Sequence, residues 1–425
     1  MSSPADDSAA DGSQRKLPFV AFVLAVGTFL MGSTEFVVAG LLPEVADDLD
    51  VSVSRAGLLI TVFAAGMIVG SPAMAIATLR LPRRSTLVLA LVVFALGHVA
   101  AALSSSFAVV LVSRVVTALA TGAFWCVAAV VATTAAGPSA TSRALGLLMG
   151  GLTVANVVGV PLGSWLGQVS DWRGPFWVLA VLSAGAASVV GRFIPDEPKR
   201  QPPSVRAEFA ALRQLRVWSV LGFIALLMGG VLATYSYISP LLTERAGVPA
   251  GAVPLVLAGY GLGAVLGTAI GGRVGDARPL ATMIASAATT TLILLLLVFL
   301  STTAVTTVAL VTLLGVAGFA SSPVLGALVV RFAGSAPTLA AALSSASSNV
   351  GVTIGSWAAG LALASSLRQA GPPLVGTVAA ALTAVPLTAL ALMRATRSEA
   401  PTPLPEAVAD QSVEAQKPGQ CLTDS

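Results

Sequence analysis

The 425-residue sequence is poor in charge, cysteine and histidine, and each shortage excludes a class of protein. Charged residues make up 10% of the chain, against roughly 25% in an ordinary soluble domain, which excludes a soluble globular protein. Two cysteines, Cys126 in an apolar run and Cys421 in a polar segment, make no disulfide framework. The single His98 and the lack of a Cys-x-x-Cys pattern argue against zinc and haem, so we expect no metal and no cofactor.

Two signatures of enzymes and nucleotide-driven machines are also missing. The sequence contains no Gly-Lys pair, which excludes a Walker A loop, so ATP bound to this chain drives no work. It also lacks a Gly-x-Ser-x-Gly motif, which argues against a membrane hydrolase, and we expect no enzyme activity.

The sequence is rich in long runs of apolar residues. Hydrophobic residues make up 56%, the mean hydropathy is +0.90, and runs of about 20 apolar residues recur from Pro18 to Met393. Each run is long enough to cross a hydrocarbon core about 30 Å thick, which predicts an all-α membrane protein. The twelve predicted spans are 18–42, 56–79, 86–104, 107–135, 144–167, 175–193, 217–242, 253–272, 280–300, 304–330, 338–366 and 373–393.

The distribution of basic residues predicts the orientation. With a cytoplasmic N-terminus, 18 of the 23 lysines and arginines fall in cytoplasmic segments and four in external loops. Both termini are therefore expected in the cytoplasm, and the protein is expected in the cytoplasmic (inner) membrane. The net charge of +4 then reflects topology, and we expect no nucleic-acid partner.

The longest polar interruption divides the spans six and six, and internal similarity supports a duplication. Leu41-Leu42-Pro43-Glu44 recurs as Leu241-Leu242-Thr243-Glu244, and Gly163-Ser164-Trp165 recurs as Gly355-Ser356-Trp357. The predicted organisation is a disordered tail 1–16, a six-helix half 17–194, a cytoplasmic linker 195–216, a second six-helix half 217–395 and a disordered tail 396–425.

Glu35 in span 1 and Arg114 in span 4 are ionisable residues well inside apolar spans. A charge at such a position costs at least about 2.5–3.5 kcal/mol, so it normally faces a cavity or another charge. Helix arithmetic at about 1.5 Å per residue places both at a similar depth in the outer half of the membrane. One interpretation is a structural ion pair or a snorkelling residue; the other is a protonatable carboxylate beside a fixed cation, which would carry protons.

Span 5 carries glycines at 159, 163 and 167 on one helix face, with Pro161 between them. Such glycines let a neighbouring backbone approach closely, and Pro161 permits a kink. Simple tight packing is the alternative to a specialised role.

Three segments together resemble the twelve-span drug:proton antiporter group of the major facilitator superfamily, most closely the chloramphenicol-resistance exporters. They are Gly32-Ser-Thr-Glu-Phe36, Arg114 ahead of Gly122-Ala-Phe-Trp125, and Asn156-Val-Val-Gly-Val-Pro-Leu-Gly163. The resemblance covers residues 17–395. It implies that Arg114 is needed for proton coupling and that Gly159, Pro161, Gly163 and Gly167 form the antiporter motif.

The loop after span 2 departs from that family's pattern, because Leu79 stands where an aspartate is common. Its equivalent after span 8 keeps the acid, and we expect an asymmetric charge lock at a cytoplasmic gate. The expected gate residues are Arg80, Arg83, Arg84, Asp276 and Arg278, although these charges are equally explained as topology signals.

Aromatic residues make up only 6% of the chain, so their placement in the spans is informative. The expected lining of a central substrate cavity is Phe36, Phe124, Trp125, Asn156, Tyr235, Tyr237 and Asn349. Helix packing is the alternative role for each aromatic residue. His98 is expected to have a packing or helix-end role.

The predicted function is export of a small hydrophobic antibiotic, with chloramphenicol as the favoured substrate, in exchange for protons. The partners would be the drug, protons and the lipid bilayer, with the chain acting as a monomer. Two alternatives remain open: an exporter of sugars or nucleosides by the same mechanism, and a membrane sensor that keeps the fold without transport.

Overall fold

The computed structural model describes residues 19–78, 81–137, 140–194, 215–333 and 337–398. Within these ranges the chain forms twelve long helices. They are α1 Phe19–Val37, α2 Leu58–Thr78, α3 Arg83–Leu103, α4 Phe107–Ala136, α5 (Thr141–Val154, a π-helical segment Ala155–Gly159, and Val160–Val169), α6 Gly174–Phe193, α7 Leu215–Ser236, α8 Val253–Ala277, α9 Pro279–Leu300, α10 (Ala304–Phe319 and Ser322–Ala333), α11 Pro337–Ala364 and α12 Gly371–Ser398.

Short segments connect some of these helices. A 3₁₀ turn Val38–Gly40 and helices Leu42–Asp48 and Val53–Ala56 lie between α1 and α2. Helix Ile238–Pro240, a π-helical segment Leu241–Arg245 and a 3₁₀ turn Ala250–Ala252 lie between α7 and α8, and a further 3₁₀ turn, Arg368–Ala370, lies between α11 and α12.

Ten of the described helices, α1 to α10, are long and apolar enough to cross a membrane. The chain is therefore a multi-pass membrane protein with about ten apolar helices. Helices α11 and α12 occupy the last two predicted spans, 338–366 and 373–393, and each contains 28 residues. The count of twelve spans stays a prediction.

Most helix ends fall within three residues of the sequence prediction, and the larger differences have local causes. Helix α1 ends at Val37 instead of continuing to 42, because Pro43 has no N–H for a continuing helix and opens the next short helix instead. Helix α7 begins at Leu215, inside the predicted linker, and α12 continues to Ser398, into the predicted tail. The predicted tail 1–16, most of the predicted linker 195–216 and residues 399–425 lie outside the described ranges.

Helix packing repeats with a period of six helices. Helix α1 packs on α5, α2 on α4, α3 on α4 and α3 on α6; the same pairings recur as α7 on α11, α8 on α10, α9 on α10 and α9 on α12. The first six helices meet the last six mainly where α2 contacts α11 and where α5 contacts α8. This recurrence is what a duplication of a six-helix unit produces.

The two sets of helices are sealed at one end of the bundle, which we call the closed end: residues 38–57, 237–252 and 365–370. One buried apolar cluster there draws on both sets, with Leu41 and Leu42 from the first and Ile238 and Leu257 from the second. The Ser54 hydroxyl donates to the Gly360 carbonyl over 2.6 Å, and the hydroxyls of Thr61 and Ser356 are hydrogen-bonded. Both of these hydrogen bonds between the two sets lie at or near the closed end.

At the closed end, charged side chains in the connections between the first six helices bind one another. Arg173 Nη2 lies 2.7 Å from Asp48 Oδ2, and the Trp172 indole donates to the same oxygen over 3.1 Å. Arg173 also donates to the Ser104 carbonyl over 3.1 Å, so three connections of the first set are held together. The hydrogen bond from Arg173 lowers the pKa of Asp48.

Candidate functional site

Glu35 lies near the end of α1, where the helix approaches the closed end. Its neighbours in the sequence, Ser33 and Thr34, are buried, whereas Glu35 and Phe36 are partly exposed on the inside of the bundle. Apart from Thr28, Ser33 and Thr34, the other side chains of α1 are apolar or glycine, and its buried face packs on α5 and α6. Glu35 is thus a partly exposed carboxylate near the end of an apolar helix.

Arg114 of α4 is buried and is held by the two helices beside it. Its Nη1 donates to the Thr34 carbonyl over 3.1 Å and to the Thr34 hydroxyl over 3.0 Å, while Nε donates to the Leu59 carbonyl over 3.3 Å. The guanidinium carbon lies 4.2 Å from the centre of the Phe63 ring, a cation–π distance. The remaining nitrogen, Nη2, is buried without a hydrogen-bond partner in the described part of the chain.

The contacts with Thr34 place Arg114 beside the residue that precedes Glu35, but the two charges form no ion pair. Within the described residues, no Arg114 nitrogen lies within 4.0 Å of a Glu35 oxygen. The guanidinium instead binds the residue before the carboxylate. The arrangement is therefore a free carboxylate near a fixed cation, and the structural ion pair considered from the sequence is absent here.

A cluster of four aromatic rings lies beside Glu35, between the two sets of helices. Phe36 meets Tyr235 edge to face with ring centres 5.8 Å apart, and Tyr235 stacks on Tyr260 at 4.3 Å. Tyr260 in turn meets Phe319 at 6.3 Å, and the Tyr260 hydroxyl is buried without a described partner. Tyr235 and Tyr260 are buried, whereas Phe36 and Phe319 are partly exposed. The two exposed rings and the unpartnered Tyr260 hydroxyl are the groups of this cluster that a bound molecule would use.

Phe36 and Tyr235 are among the residues that the sequence predicts for the lining of a central cavity, whereas Tyr260 and Phe319 are not. One signal does exist for Tyr260, because it is one of only three tyrosines in the chain and the other two are predicted lining residues. No comparable signal marked Phe319, one of 15 phenylalanines.

Two of the other predicted lining aromatics lie in packing positions. Phe124 is fully buried, and its ring lies against Gly27 of α1, so it packs α4 on α1. Tyr237 is also buried; it lies between Gly57 and Gly360 and donates to the Ser356 carbonyl over 3.2 Å. Tyr237 therefore belongs to the closed end. Trp125, next to Phe124, is half-buried.

The two predicted asparagines lie at different places in the packing. Asn156 is in the π-helical segment of α5, and its backbone carbonyl lies against Gly261 of α8. Asn349 of α11 is buried; its amide donates to the Ser345 carbonyl over 3.0 Å, and its Oδ1 has no described partner. Asn349 thus has a free acceptor, whereas Asn156 marks a contact between the two sets of helices.

The glycine face of α5 packs against α1. A Cβ added at Gly159 would meet Ser33, one at Gly163 would meet Val37 at 2.5 Å, and one at Gly167 would meet Leu41 at 2.6 Å. Pro161 is buried in the same stretch, just after the π-helical segment. The glycines are therefore required for this close approach.

Of the predicted gate residues, only Arg83, Arg84 and Arg278 have described side chains, and these lie at the starts of α3 and α9, away from this site. Arg80 and the side chain of Asp276 are not described. Arg83 and Arg84 open α3 and are half-buried, with Arg83 3.5 Å from the Thr134 hydroxyl, and Arg278 is exposed ahead of α9. Within the described ranges, no group of three or more His, Cys, Asp or Glu side chains is placed to hold a metal ion.

Comparison with known proteins decides the family. The model of the Major Facilitator Superfamily matches residues 24–341. The chain belongs to this superfamily. As a major facilitator protein it is a membrane transporter and not an enzyme, and the repeated six-helix packing agrees with that assignment.

Named relatives of this major facilitator protein include a chloramphenicol resistance protein of Streptomyces lividans, 34% identical over 84% of this chain and 92% of the relative. The inner membrane transport protein YdhP of Escherichia coli (strain K12) is 32% identical over 86% of this chain and 94% of its own length. A probable sugar efflux transporter of Mannheimia succiniciproducens is 29% identical over 79% and 84%.

Solved structures agree on the fold. A bacterial homologue of the human lysosomal transporter Spinster, in an inward-facing and unoccupied conformation, superposes with a TM-score of 0.74 at 16% identity. The match covers 92% of this chain and all of that one.

Proposed function

We propose that this transporter exports a small, neutral and largely apolar antibiotic in exchange for protons. The observation that carries the proposal is the Glu35 carboxylate: it is partly exposed near the end of α1, it follows the residue that binds the buried Arg114, and it precedes Phe36 of the aromatic cluster. An ionisable group at membrane depth normally serves ion or substrate movement, because it is costly to keep there.

The contacts of Arg114 support a role in proton coupling. Its Nη2 is buried without a described acceptor, and a buried charged donor without a partner costs at least about 1–3 kcal/mol. A deprotonated Glu35 directly follows Thr34, which binds Arg114, and would supply an acceptor of opposite charge. Protonation of Glu35 from outside would release substrate, and loss of that proton to the cytoplasm would reset the site.

The driving force of such an exchange is adequate. Export of a neutral molecule for one proton moves one charge inward, so a membrane potential supplies about 2.3 kcal/mol per 100 mV in addition to any pH gradient. Since each 1.4 kcal/mol of free energy corresponds to a factor of ten in a concentration ratio, a potential of about 100 mV alone sustains a substrate gradient on the order of tens-fold.

We propose twelve spans in the cytoplasmic membrane, in two six-helix halves at 17–194 and 217–395, with both termini in the cytoplasm and the closed end outside. Reporter fusions after Pro195 and at Ser425 should both report the cytoplasm. An external signal at either position contradicts the twelve-span topology.

Chloramphenicol is the favoured substrate because a relative that shares 34% identity over most of both chains is named for resistance to it. The aromatic cluster and the small number of charges near it suit an aromatic, uncharged compound. Export of a sugar is the second candidate, supported by the relative named as a probable sugar efflux transporter.

The test has two parts. The chain is expressed in a host that lacks its own drug pumps, and growth is scored against a panel of antibiotics and sugars. Everted vesicles with an imposed pH gradient are then given the best compound, and proton release is followed. Release that needs the chain and the compound supports antiport. Resistance to no antibiotic but proton release with a sugar favours the second candidate, and no flux with any compound favours a membrane sensor.

A further inference from the structure

His98 of α3 is buried at the side of the bundle, where it contacts three helices. Its ring lies 4.2 Å from that of Phe94 and 5.6 Å from that of Phe176 in α6, centre to centre. Nδ1 is 2.8 Å from the Phe94 carbonyl, and Nε2 is 2.7 Å from the Thr34 hydroxyl in α1. Both ring nitrogens therefore have partners, one in α3 and one on the residue that binds Arg114.

The partners of His98 fix the direction of these hydrogen bonds. The Phe94 carbonyl only accepts, so Nδ1 carries the hydrogen and the lone pair of a neutral ring is on Nε2. The Thr34 hydroxyl then donates to Nε2, and its oxygen accepts from Arg114 Nη1. The hydrogens run in one direction, from Arg114 through Thr34 to His98 and on to Phe94.

Thr34 differs from most hydroxyl residues in the neighbouring helices. Ser33 donates to the Phe29 carbonyl, Thr121 to the Thr117 carbonyl and Thr133 to the Ala129 carbonyl, each four residues back in its own helix. This local bond is the usual alternative for a helical hydroxyl. Thr34 is directed to His98 instead, and that orientation leaves its oxygen available to Arg114.

We propose that His98 is a positioning residue for the proton-coupling pair: through the Thr34 hydroxyl, it holds the Arg114 guanidinium against α1 and off the Glu35 carboxylate. Without an acceptor at Nε2, the Thr34 hydroxyl donates to a carbonyl of its own helix instead. Arg114 then loses one of its three hydrogen bonds, and the guanidinium charge moves toward residue 35. The functional meaning of this role rests on the proposed proton coupling, but the position of Arg114 can be tested without transport.

The first test measures the electrostatic potential at residue 35. In a Cys126→Ser, Cys421→Ser background, Glu35→Cys is labelled with an anionic and a cationic methanethiosulfonate of similar size, and the ratio of the two rates is taken. If the Arg114 charge moves from about 8 to about 5 Å from the thiol, at an effective dielectric constant near 20, the rate of anionic labelling rises by about tenfold and the rate of cationic labelling falls by about tenfold. The added variants are His98→Phe, which keeps a ring but no acceptor, and Thr34→Val, which removes the hydroxyl.

We expect each variant to raise the ratio of anionic to cationic labelling by about a hundredfold, because the anionic rate rises and the cationic rate falls by about tenfold each, and we expect the double variant to raise it no further. His98→Gln places an amide oxygen near the Nε2 position and should restore the wild-type ratio, and Thr34→Ser should leave it unchanged. His98→Asn, one methylene shorter, is a second disruptive variant if His98→Phe does not reach the membrane. An unchanged ratio in both disruptive variants overturns the proposal.

The second test measures substrate-driven proton release in the protein that keeps glutamate at position 35. The His98→Phe variant should lose this release, while His98→Gln should keep it. If the wild type releases no protons with any substrate, the proposed function fails, and the labelling ratio still decides the role of His98. If the wild type and His98→Phe release protons equally, the positioning role fails and the proposed function stands.

Discussion

The hydroxyl groups of Thr61 and Ser356 lie 2.8 Å apart and join α2 of the first six helices to α11 of the last six. Both side chains are buried, and the Tyr237 hydroxyl donates to the Ser356 carbonyl at the same point. Neutral hydrogen bonds of this kind contribute about 0.5–1.5 kcal/mol each, so the closed end is held by contacts that can break during a transport cycle.

This contact gives the first prediction. In a Cys126→Ser, Cys421→Ser background, the pair Thr61→Cys and Ser356→Cys should form a disulfide on mild oxidation and abolish transport, because α2 and α11 can no longer separate. Reduction should restore transport. Each single cysteine variant is the control, and full transport by the cross-linked protein contradicts an opening at this contact.

Glu35→Gln should remove uphill transport and keep exchange of substrate for substrate. The amide keeps the shape and hydrogen bonding of the protonated carboxyl group but cannot release a proton. Proton release in energised everted vesicles measures the loss, and counterflow of labelled substrate measures what remains. Undiminished uphill transport by the Gln variant assigns the coupling proton to another acid.

Gly159→Leu and Gly163→Leu should each abolish export, because a side chain at either position meets α1. Overpacking of this kind costs about 1–3 kcal/mol or more and here separates two helices. Gly150→Leu is the matched control on the same helix, since a Cβ at Gly150 meets nothing within 4 Å. Export and surface expression are compared for all three, and wild-type export by the first two contradicts a structural need for this face.

Tyr260→Phe should weaken substrate binding if the unpaired Tyr260 hydroxyl donates to the substrate. Loss of one neutral hydrogen bond is about 0.5–1.5 kcal/mol, so KM should rise by about two- to tenfold with the maximum rate little changed. Removal of a buried unpaired hydroxyl should also raise the Tm of the substrate-free protein. An unchanged KM shows that the hydroxyl takes no part in binding.

The Asp48–Arg173 contact should make stability depend on acid pH. The folded-state pKa of Asp48 is lowered by Arg173, so the contact stabilises the protein above the unfolded pKa near 3.9 and is lost as the pH falls through the folded value. Both side chains are partly exposed, so screening limits the effect to about 0.5 kcal/mol. Asp48→Asn should lower the Tm at pH 7, with little difference near pH 3, while Asp47→Asn should leave it unchanged at both.

The sequence predicts the helices of this protein well because a bilayer fixes the length of a span and turn residues mark its ends. It also predicts the depth of Glu35 and Arg114, since depth follows from a constant rise per residue. It does not predict that Arg114 binds Thr34 and not Glu35. Neighbouring residues point about 100° apart around a helix, so the rotation of α1 decides whether Thr34 or Glu35 faces Arg114. That rotation is set by the packing of α1 on α5, which cannot be read from the sequence of α1 alone.

Contacts between residues that are distant in the sequence also explain the other differences between the predicted and observed roles of residues. Tyr237 lies only two residues after Tyr235 yet belongs to the closed end, because the backbone leaves the helix at Tyr237. His98 looked like a packing residue from its own span, and its partner Thr34 is 64 positions away. Pro161 indicates an irregular helix, but it does not predict the π-helical segment before it, which contacts α1 at Gly159 and α8 at Asn156.

That π-helical segment sets the angular relation between the two parts of α5. Gly151 lies against Ala25 and Thr28, and Gly159 lies against Phe29 and Ser33, so both face α1. In a regular α-helix the eight steps between them leave about 80° of rotation, whereas one residue taken up by a π turn removes about 100° and brings them back within about 20° of each other. A relative that lacks one residue here would keep a regular helix but turn one end of its glycine stripe toward lipid.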